Sequence, residues 1–415
     1  MAEIQPLHAL RYDLARTGGL QDVVAPPYDV IDDAQRRELE ARSPFNVVRI
    51  DLPDGGEDRY ERAAALLQSW RDEGAVVLDD GPALWTLAQD YTGPDGQRRT
   101  RQGCFARVRV EDYGAGRIRP HERTHPGPKE DRLRLTRATR ANLSPIFSLY
   151  SDPSGSAREA LAAAAAWAQT IDDDGTVNHL GRIDDAEAIA AFTDSLARAE
   201  LLIADGHHRY ETARVYADEI GGEGAHRYVL MCLVALEDPG LTVFPTHRLV
   251  RGLTSDQQEA LASTLRRDFA IEPLTDRSEL APPENDEVRI GYIDAHFRSP
   301  YMLTLRDPAI ADAALPGRAP PYRRLDTAVL EAVILKGTLG MTDEAIDHLD
   351  GLGYARDLEH ALEMIDDAGF DAAFFMAPTP VARVQEVAAA GESMPPKSTY
   401  FFPKVPTGLL FNPLA

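Results

Sequence analysis

The chain predicts an α+β fold with mixed sheets, hairpins and helices, rather than a doubly wound parallel sheet. Apolar runs of strand length recur in pairs around turns rich in Gly, Pro and Asp. Segments with helical spacing separate those pairs. Neither a P-loop nor a dinucleotide fingerprint follows any strand, since Gly18-Gly19 and Gly221-Gly222 stand in the wrong context.

Val23–Ile31 reads as a strand running into the Pro26-Pro27 turn, followed by a helix over 33–41. Tyr60, Ala63, Ala64, Leu67 and Trp70 have helical spacing, which predicts a helix over 59–73. Strands at 83–91 and 101–110 flank Gly93-Pro94-Asp95-Gly96 as a hairpin. The polar stretch 118–150 predicts a loop leading into a short helix over 132–140. Helices are expected over the alanine-rich 156–170 and over 184–199. A second hairpin is expected from 228–236 and 242–250, and a third from 288–293 and 301–305. Helices at 325–339, 358–368 and 381–389, a strand at 372–376 and an extended tail over 400–411 complete the chain. The domain reading is an N-terminal part, 1–250, with a small leading unit, and a C-terminal α+β part, 251–415, whose tail returns to the site.

The 415 residues are 44% hydrophobic and 27% charged, the balance of a globular protein of two or three domains. No apolar run is long enough to cross a bilayer, and the N-terminus has no signal-peptide layout. Cys104 and Cys232 both lie in strand-like settings and read as buried thiols rather than a disulfide. Together these predict a cytoplasmic protein with no membrane partner. A formal net charge of -23 argues against a nucleic-acid partner, although a locally basic pocket could still take a phosphorylated small molecule. The sequence is silent on oligomeric state. Only four lysines occur, Lys129, Lys336, Lys397 and Lys404, in a chain that otherwise uses arginine. A lysine kept in such a chain points to a need for a compact ammonium, against the simpler reading of chance placement.

The strongest chemical signal is Leu201–Ala213. An apolar run ends at Asp205-Gly206, and His207, His208 and Arg209 then open an amphipathic helix. A helix start offers free N–H groups and partial positive charge, so adding these side chains makes an anion site. Asp205 at the strand end can bind a metal or cap the helix. Adjacent histidines point in different directions, so His207 and His208 do not chelate one metal together.

His121-Glu122-Arg123-Thr124-His125 spells the zinc-protease pattern, but Pro120 and Pro126-Gly127-Pro128 deny it the helix it needs. Glu122 remains a candidate general base or ligand for Mg²⁺, and a surface loop explains the run equally well. Lys129 and Arg132 can cradle phosphate, or belong to a salt-bridged helix start. Asn142 and Ser144 add polar groups before a strand. In the tail, alternation sets Lys397 and Lys404 on opposite faces unless Pro403 intervenes. Lys397, beside Ser398, is taken as ligand-facing, and Lys404 as the guard of an edge strand.

These segments in order are similar to those of the prokaryotic family catalogued as domain of unknown function 1015. The resemblance covers nearly the whole chain. It rests on Ala25–Ile31, His121-Glu122 with Gly127–Leu133, Ala141–Phe147, Ala204–Ala213 and Pro396–Phe401. A shorter resemblance joins Asp205-Gly206-His207-His208-Arg209 to the phosphate-binding motif of the ParB/sulfiredoxin-like superfamily, some of whose members phosphorylate free serine. That resemblance implies a ParB/sulfiredoxin-like core that binds ATP or ADP with Mg²⁺, and a phosphotransferase acting on a small hydroxylated metabolite such as serine. In those members the run contacts nucleotide phosphates, which maps to Asp205, His207, His208 and Arg209 here, and a glutamate acts as base, for which Glu122 is the candidate. With the residues read above, the candidate catalytic residues are Glu122, Asp205 and His207, and the candidate phosphate-binding residues are His121, Lys129, Arg132, Asn142, Ser144, Gly206, His208, Arg209, Lys397 and Ser398, with Asp205 and Glu122 the candidate metal ligands. The rival readings are a nucleotide-binding regulator without turnover, a phosphomonoester phosphatase, and a zinc hydrolase on His121 and His125.

Overall fold

The computed structural model describes residues 3–93, 96–113, 117–121, 126–284, 287–367 and 369–415. The chain divides into two compact units, with the second inserted in the sequence of the first. The first comprises Met1–Pro120, Thr124–Thr242 and Pro403–Ala415, and the second His121–Arg123 and Val243–Phe402. Both mix helices with sheet, so the α+β class holds.

The first unit is built on a nine-stranded mixed sheet. Its strands are β1 (Ile4–Gln5), β2 (Leu84–Thr92), β3 (Arg98–Arg109), β4 (Ile118–Pro120), β5 (Ile146–Tyr150), β6 (Ala165–Ile171), β7 (Val177–Ile183), β8 (Leu201–Asp205) and β9 (Tyr228–Ala235). They run in the order β4-β8-β5-β9-β3-β2-β7-β6, with β1 on β3. The pairs β4–β8 and β5–β9 are parallel. The expected hairpin β2–β3 is present.

Period-two alternation sends Cys104, Ala106, Val108, Ile146, Met231 and Leu233 to one face. There they pack with Phe192 and Leu196 of the helix Ala186–Leu196, and with Tyr210 and Ala213 of the helix His207–Ile220. Residues of opposite parity, among them Gln89, Arg101, Phe147 and Cys232, line the other face. Both cysteines are buried and free. Cys232 stands opposite Phe105, and Cys104 opposite Leu233, so the two thiols point to opposite faces.

Several elements differ from the sequence expectation. The alanine-rich segment is helical only over Ser156–Ala160, then becomes strand β6 on the edge of β7. Alanine's helix preference is under about 1 kcal/mol per residue, and strand pairing outweighs it. The Trp167 ring meets Trp85 at 4.9 Å. The Gln21 side chain then closes the end of the edge, bonding both the N–H (2.9 Å) and the C=O (2.7 Å) of Ile171.

Val23–Ile31 forms one bridge, Ala25 to Thr407, and a 3₁₀ turn over Tyr28–Val30, because Pro26 and Pro27 remove two N–H donors. The hairpin expected over 228–250 does not form. Both edges of β9 are already taken by β3 and β5, so the following chain splits into Thr242–Phe244 and β10 (His247–Val250). The helix expected from Arg132 begins at Pro126 and runs to Thr139, with proline accommodated at its first position. The tail is strand only over Tyr400–Phe402. Residues beyond it bridge Leu10 through Phe411 and pair Asn412–Pro413 with Ala141–Asn142.

In the second unit β10 joins β11 (Phe269–Pro273), β12 (Arg289–Asp294), β13 (Tyr301–Leu305), β14 (Leu352–Ala355) and β15 (Ala372–Phe375). The order is β11-β13-β12-β15-β10-β14, antiparallel throughout. Its two faces carry separate apolar clusters, one with Val250, Ile290, Leu303 and Phe374, the other with Leu249, Ile293, Ala373 and Phe375. Among the described residues no helix is long and apolar enough to cross a membrane.

Candidate functional site

Strand β8 and the helix His207–Ile220 meet at Asp205-Gly206. The β8–β5 register shifts between Ile203 and Asp205, which leaves Asp205 opposite Phe147. Gly206 then takes φ +92° as the first residue flanking the helix. The cap position of this helix is Gly206, which has no side chain to cap it. The Asp205 carboxylate bonds two cations: Oδ2 accepts from Arg209 Nη2 at 2.7 Å and Oδ1 from Lys404 Nζ at 3.1 Å. Burial would raise this carboxyl, but Lys404 and Arg209 outweigh it and hold it far below the usual carboxylate range. His207 bears on the same carboxylate.

Arg209 folds back over Gly206. Its Nη1 donates to the carbonyl of Pro145, while its buried Nε has no partner among the described residues. A Cβ on Gly206 would lie 2.9 Å from Arg209 Nε. Gly206→Ala should therefore cost about 1–2 kcal/mol for the left-handed backbone, and more as Arg209 is displaced. A lowered urea midpoint checks this; an unchanged midpoint would mean the guanidinium moves aside freely.

Beside this cluster lies a second one. Arg132 is buried and spends all three nitrogens: Nε and Nη2 donate to Asp131 Oδ2 at 2.9 and 2.6 Å, and Nη1 to the Asp51 carbonyl at 2.6 Å. Its guanidinium lies 4.2 Å from the Tyr28 ring centroid. Burial pushes the Tyr28 hydroxyl up to about 12 and also raises Asp51, against the pull of Arg132 and Ser144. Ser144 Oγ donates to Asp51 Oδ2 at 3.0 Å and stands 3.1 Å from Thr407 Oγ1. Asp51, Arg132, Asn142, Ser144, Arg209 and Thr212 line one cavity of about 40 Å³. Asn142 Oδ1 accepts from Leu230 N–H at 3.1 Å and from Asn412 Nδ2 at 2.9 Å.

The structure thus gathers Asp205, Gly206, His207, Arg209, Arg132, Asn142 and Ser144. Lys129 lies on the neighbouring helix, Pro126–Thr139, and its ammonium pairs with Glu211 of the helix that carries Arg209. His208 is half-buried one position beyond His207.

His121, Lys397 and Ser398 belong to the second unit. His121 is buried, with Nε2 2.7 Å from Thr399 Oγ1 and its ring edge-on to Phe401 at 5.7 Å. Ser398 is buried and donates to the Pro395 carbonyl at 2.7 Å. Lys397 is exposed, with φ +57°, and its carbonyl accepts from Arg248. The assignment of the two tail lysines is reversed in one respect: Lys404, read as an edge guard, is the one that bonds Asp205. Pro403 breaks the alternation, and the two lysines fall in different units. Glu122 and His125 lie outside the described residues.

Asp205 spends both oxygens on cations, so a divalent ion there would have to displace Lys404 or Arg209. Among the described residues no three His, Cys, Asp or Glu side chains converge as a metal site. A phosphate oxygen, in contrast, is compatible with the donor set, since the buried Nε of Arg209 has no partner among the described residues.

Sequence reasoning missed Asp51 and Thr407, and gave Lys404 another role. Asp51 has no motif around it, Thr407 is 263 residues from Ser144, and Lys404 is 199 residues from Asp205. Tyr28 lay within a segment already singled out, and its proline context signalled the fixed turn that places its ring.

No curated protein matches the chain by sequence. Among solved structures, a conserved hypothetical protein from Pyrococcus furiosus aligns with TM-score 0.38 and 16% identity, over 74% of this chain and 93% of that one. A free serine kinase in complex with AMP aligns with TM-score 0.37 and 14% identity, over 72% and 86%. SbnI with a C-terminal truncation, from Staphylococcus aureus, aligns with TM-score 0.37 and 12% identity, over 72% and 82%. A family model described as protein of unknown function (DUF1015) matches residues 4–328. That span takes in the strand–helix junction, Asp51 and the Arg132 cluster, and the chain is a member of this DUF1015 family.

Proposed function

We propose that the first unit binds a nucleoside polyphosphate and transfers a phosphoryl group to a small hydroxylated metabolite, with free serine the first acceptor to test. One observation carries this reading: Arg209 and Lys404 are locked on Asp205 at a strand–helix junction, with a buried guanidinium N–H of Arg209 left without a partner among the described residues. Phosphoryl transfer asks mainly for positioning and charge neutralisation, and such a preset cluster supplies both without reorganising. Arg209, Lys404 and His207 would contact phosphate oxygens, with Lys129 one helix away. In the transfer, the acceptor oxygen bonds to the terminal phosphorus as the bond to the nucleotide's bridging oxygen breaks. The acceptor's hydroxyl proton goes to a carboxylate, the role that the sequence reading gives to Glu122, which lies outside the described residues.

Arg209→Ala should weaken ADP and ATP binding by about tenfold or more, the loss of one charge-assisted contact. Glu122→Ala should bind nucleotide like the parent and form no phosphorylated acceptor. Calorimetric titration and mass analysis of candidate acceptors read the two effects. Parent-like binding by the Arg209 variant would end the phosphate assignment. Saturable binding with no phosphorylated product from any hydroxylated acceptor would mark a nucleotide-responsive regulator instead. Phosphate release from a phosphomonoester without nucleotide would mark a phosphatase.

A further inference from the structure

We propose that Arg101 forms, with Lys404 and Arg209, a buried subsite for a carboxylate or phosphate oxyanion of the bound small molecules. The proposal rests on the phosphate-binding reading of the neighbouring Asp205 cluster. Arg101 stands on β3 opposite Gln89 of β2, on the sheet face that also carries Phe147. Its guanidinium carbon lies 4.5 Å from the centroid of the Phe147 ring, which stands opposite Asp205. Nη2 donates to Gln89 Oε1. Gln89 Nε2 in turn donates to Asn178 Oδ1 at 2.8 Å and to the Lys404 carbonyl at 3.0 Å, and Lys404 Nζ reaches Asp205 at 3.1 Å. A polar row therefore crosses this face and ends at the Asp205 cluster.

Arg101 is only 1% exposed, yet its Nε and Nη1 have no partner among the described residues. A buried guanidinium normally spends its donors on protein acceptors, as Arg132 does with all three nitrogens. No carboxylate bonds Arg101 among the described residues. Asp238, which bears on it, is spent on the N–H groups of Gly240 (2.8 Å) and Gln102 (3.2 Å). The aromatic face offsets part of the desolvation cost but takes no N–H. Burial lowers the Arg101 pKa to about 10, so it remains a cation at neutral pH. An enclosed cation with two unspent donors, linked through Gln89 and Lys404 to a second guanidinium with one, suits an oxyanion ligand.

The test titrates the full chain with ADP, inorganic phosphate and L-serine, and compares Arg101→Met with the parent. Met keeps the volume and removes the unspent donors. The expected result is at least about a tenfold loss of affinity for one class of probe, with an unchanged or raised Tm in the ligand-free protein. Loss confined to ADP and phosphate assigns a nucleotide phosphate to Arg101; loss confined to serine assigns an acceptor carboxylate. Parent-like affinity for all three probes, with a lowered Tm, overturns the proposal and makes Arg101 a framework residue satisfied by water. A parent that binds none of them overturns it as well. If Arg209→Ala binds ADP like the parent while Arg101→Met loses serine, the phosphate reading falls and the subsite stands. Should the Met variant not fold, Arg101→Lys, which keeps the charge but not the planar fork, carries the same tenfold criterion.

Discussion

Asp205→Ala should cost the first unit about 3–5 kcal/mol of unfolding free energy, because removing one partner of a buried ion pair strands the others. Here the carboxylate is shared by two cations. Arg209 and Lys404 are 10% and 18% exposed at their side chains, and both pair with Asp205. The loss should be largely recovered in an Asp205→Ala/Lys404→Met/Arg209→Met triple variant, where the same volume holds no charge. Urea unfolding followed by a probe in the first unit measures both. Because the cations hold this carboxyl far down, its contribution is fully present above the unfolded pKa of about 3.9 and fades only as pH falls below it. A single-variant loss under about 1 kcal/mol would match an exposed pair and contradict the enclosed cluster.

The pieces of that cluster differ in how legible they were. The Asp205-Gly206 junction could be read directly, because an apolar run, a turn and a helix start are local signals. Arg132 and Ser144 were visible as polar residues near element ends, but their common partner Asp51 was not, since nothing local marks a buried acid in a short helix. The tail lysines show the limit of periodicity: alternation orders side chains within one strand, and Pro403 ends that strand. The alanine-rich segment fails for a related reason. Intrinsic preference reads as helix until β7 offers an open edge, which only the folded sheet reveals. In the second unit the 288–305 hairpin was plain, yet its chemistry was silent because its titratable groups are scattered through unremarkable strands and helices.

Two of those groups carry the second large effect. His247 and Asp326 should give the second unit opposite pH dependences that cancel in the parent. Burial lowers His247 to about 4, and its Nδ1 must stay unprotonated to accept the Met376 N–H at 3.2 Å. A histidine lowered from about 6.5 contributes stability that is present above 6.5 and lost as pH falls toward 4, about 3 kcal/mol in all. Burial raises Asp326 to about 6, outweighing Arg248 and the N–H groups of Ala377 and Thr327. Its folded form holds a proton that the unfolded chain gives up near 3.9. Stability therefore falls by about 3 kcal/mol as pH rises from 4 to 6. The parent should be nearly flat across that window. His247→Asn should lose stability as pH rises through it, and Asp326→Asn should gain. Urea midpoints at half-unit pH steps, read in the second unit, separate the slopes. Identical slopes in parent and both variants would show that neither group titrates differently on folding.

The bridges from Ala25 to Thr407 and from Leu10 to Phe411, with the Lys404 ammonium on Asp205, bear on how this chain is made. A ribosome extrudes β8 and its helix long before residue 404, and the whole of the inserted unit emerges in between. Until then Asp205 and Arg209 lack their third member, and β-bridge partners of the N-terminal segment are still unmade. The nascent first unit thus stays incomplete while its neighbour is synthesised, and Asp205 gains its ammonium partner only after translation has passed the insertion. A stalled or prematurely ended product would carry the strand–helix junction without the ammonium that finishes it.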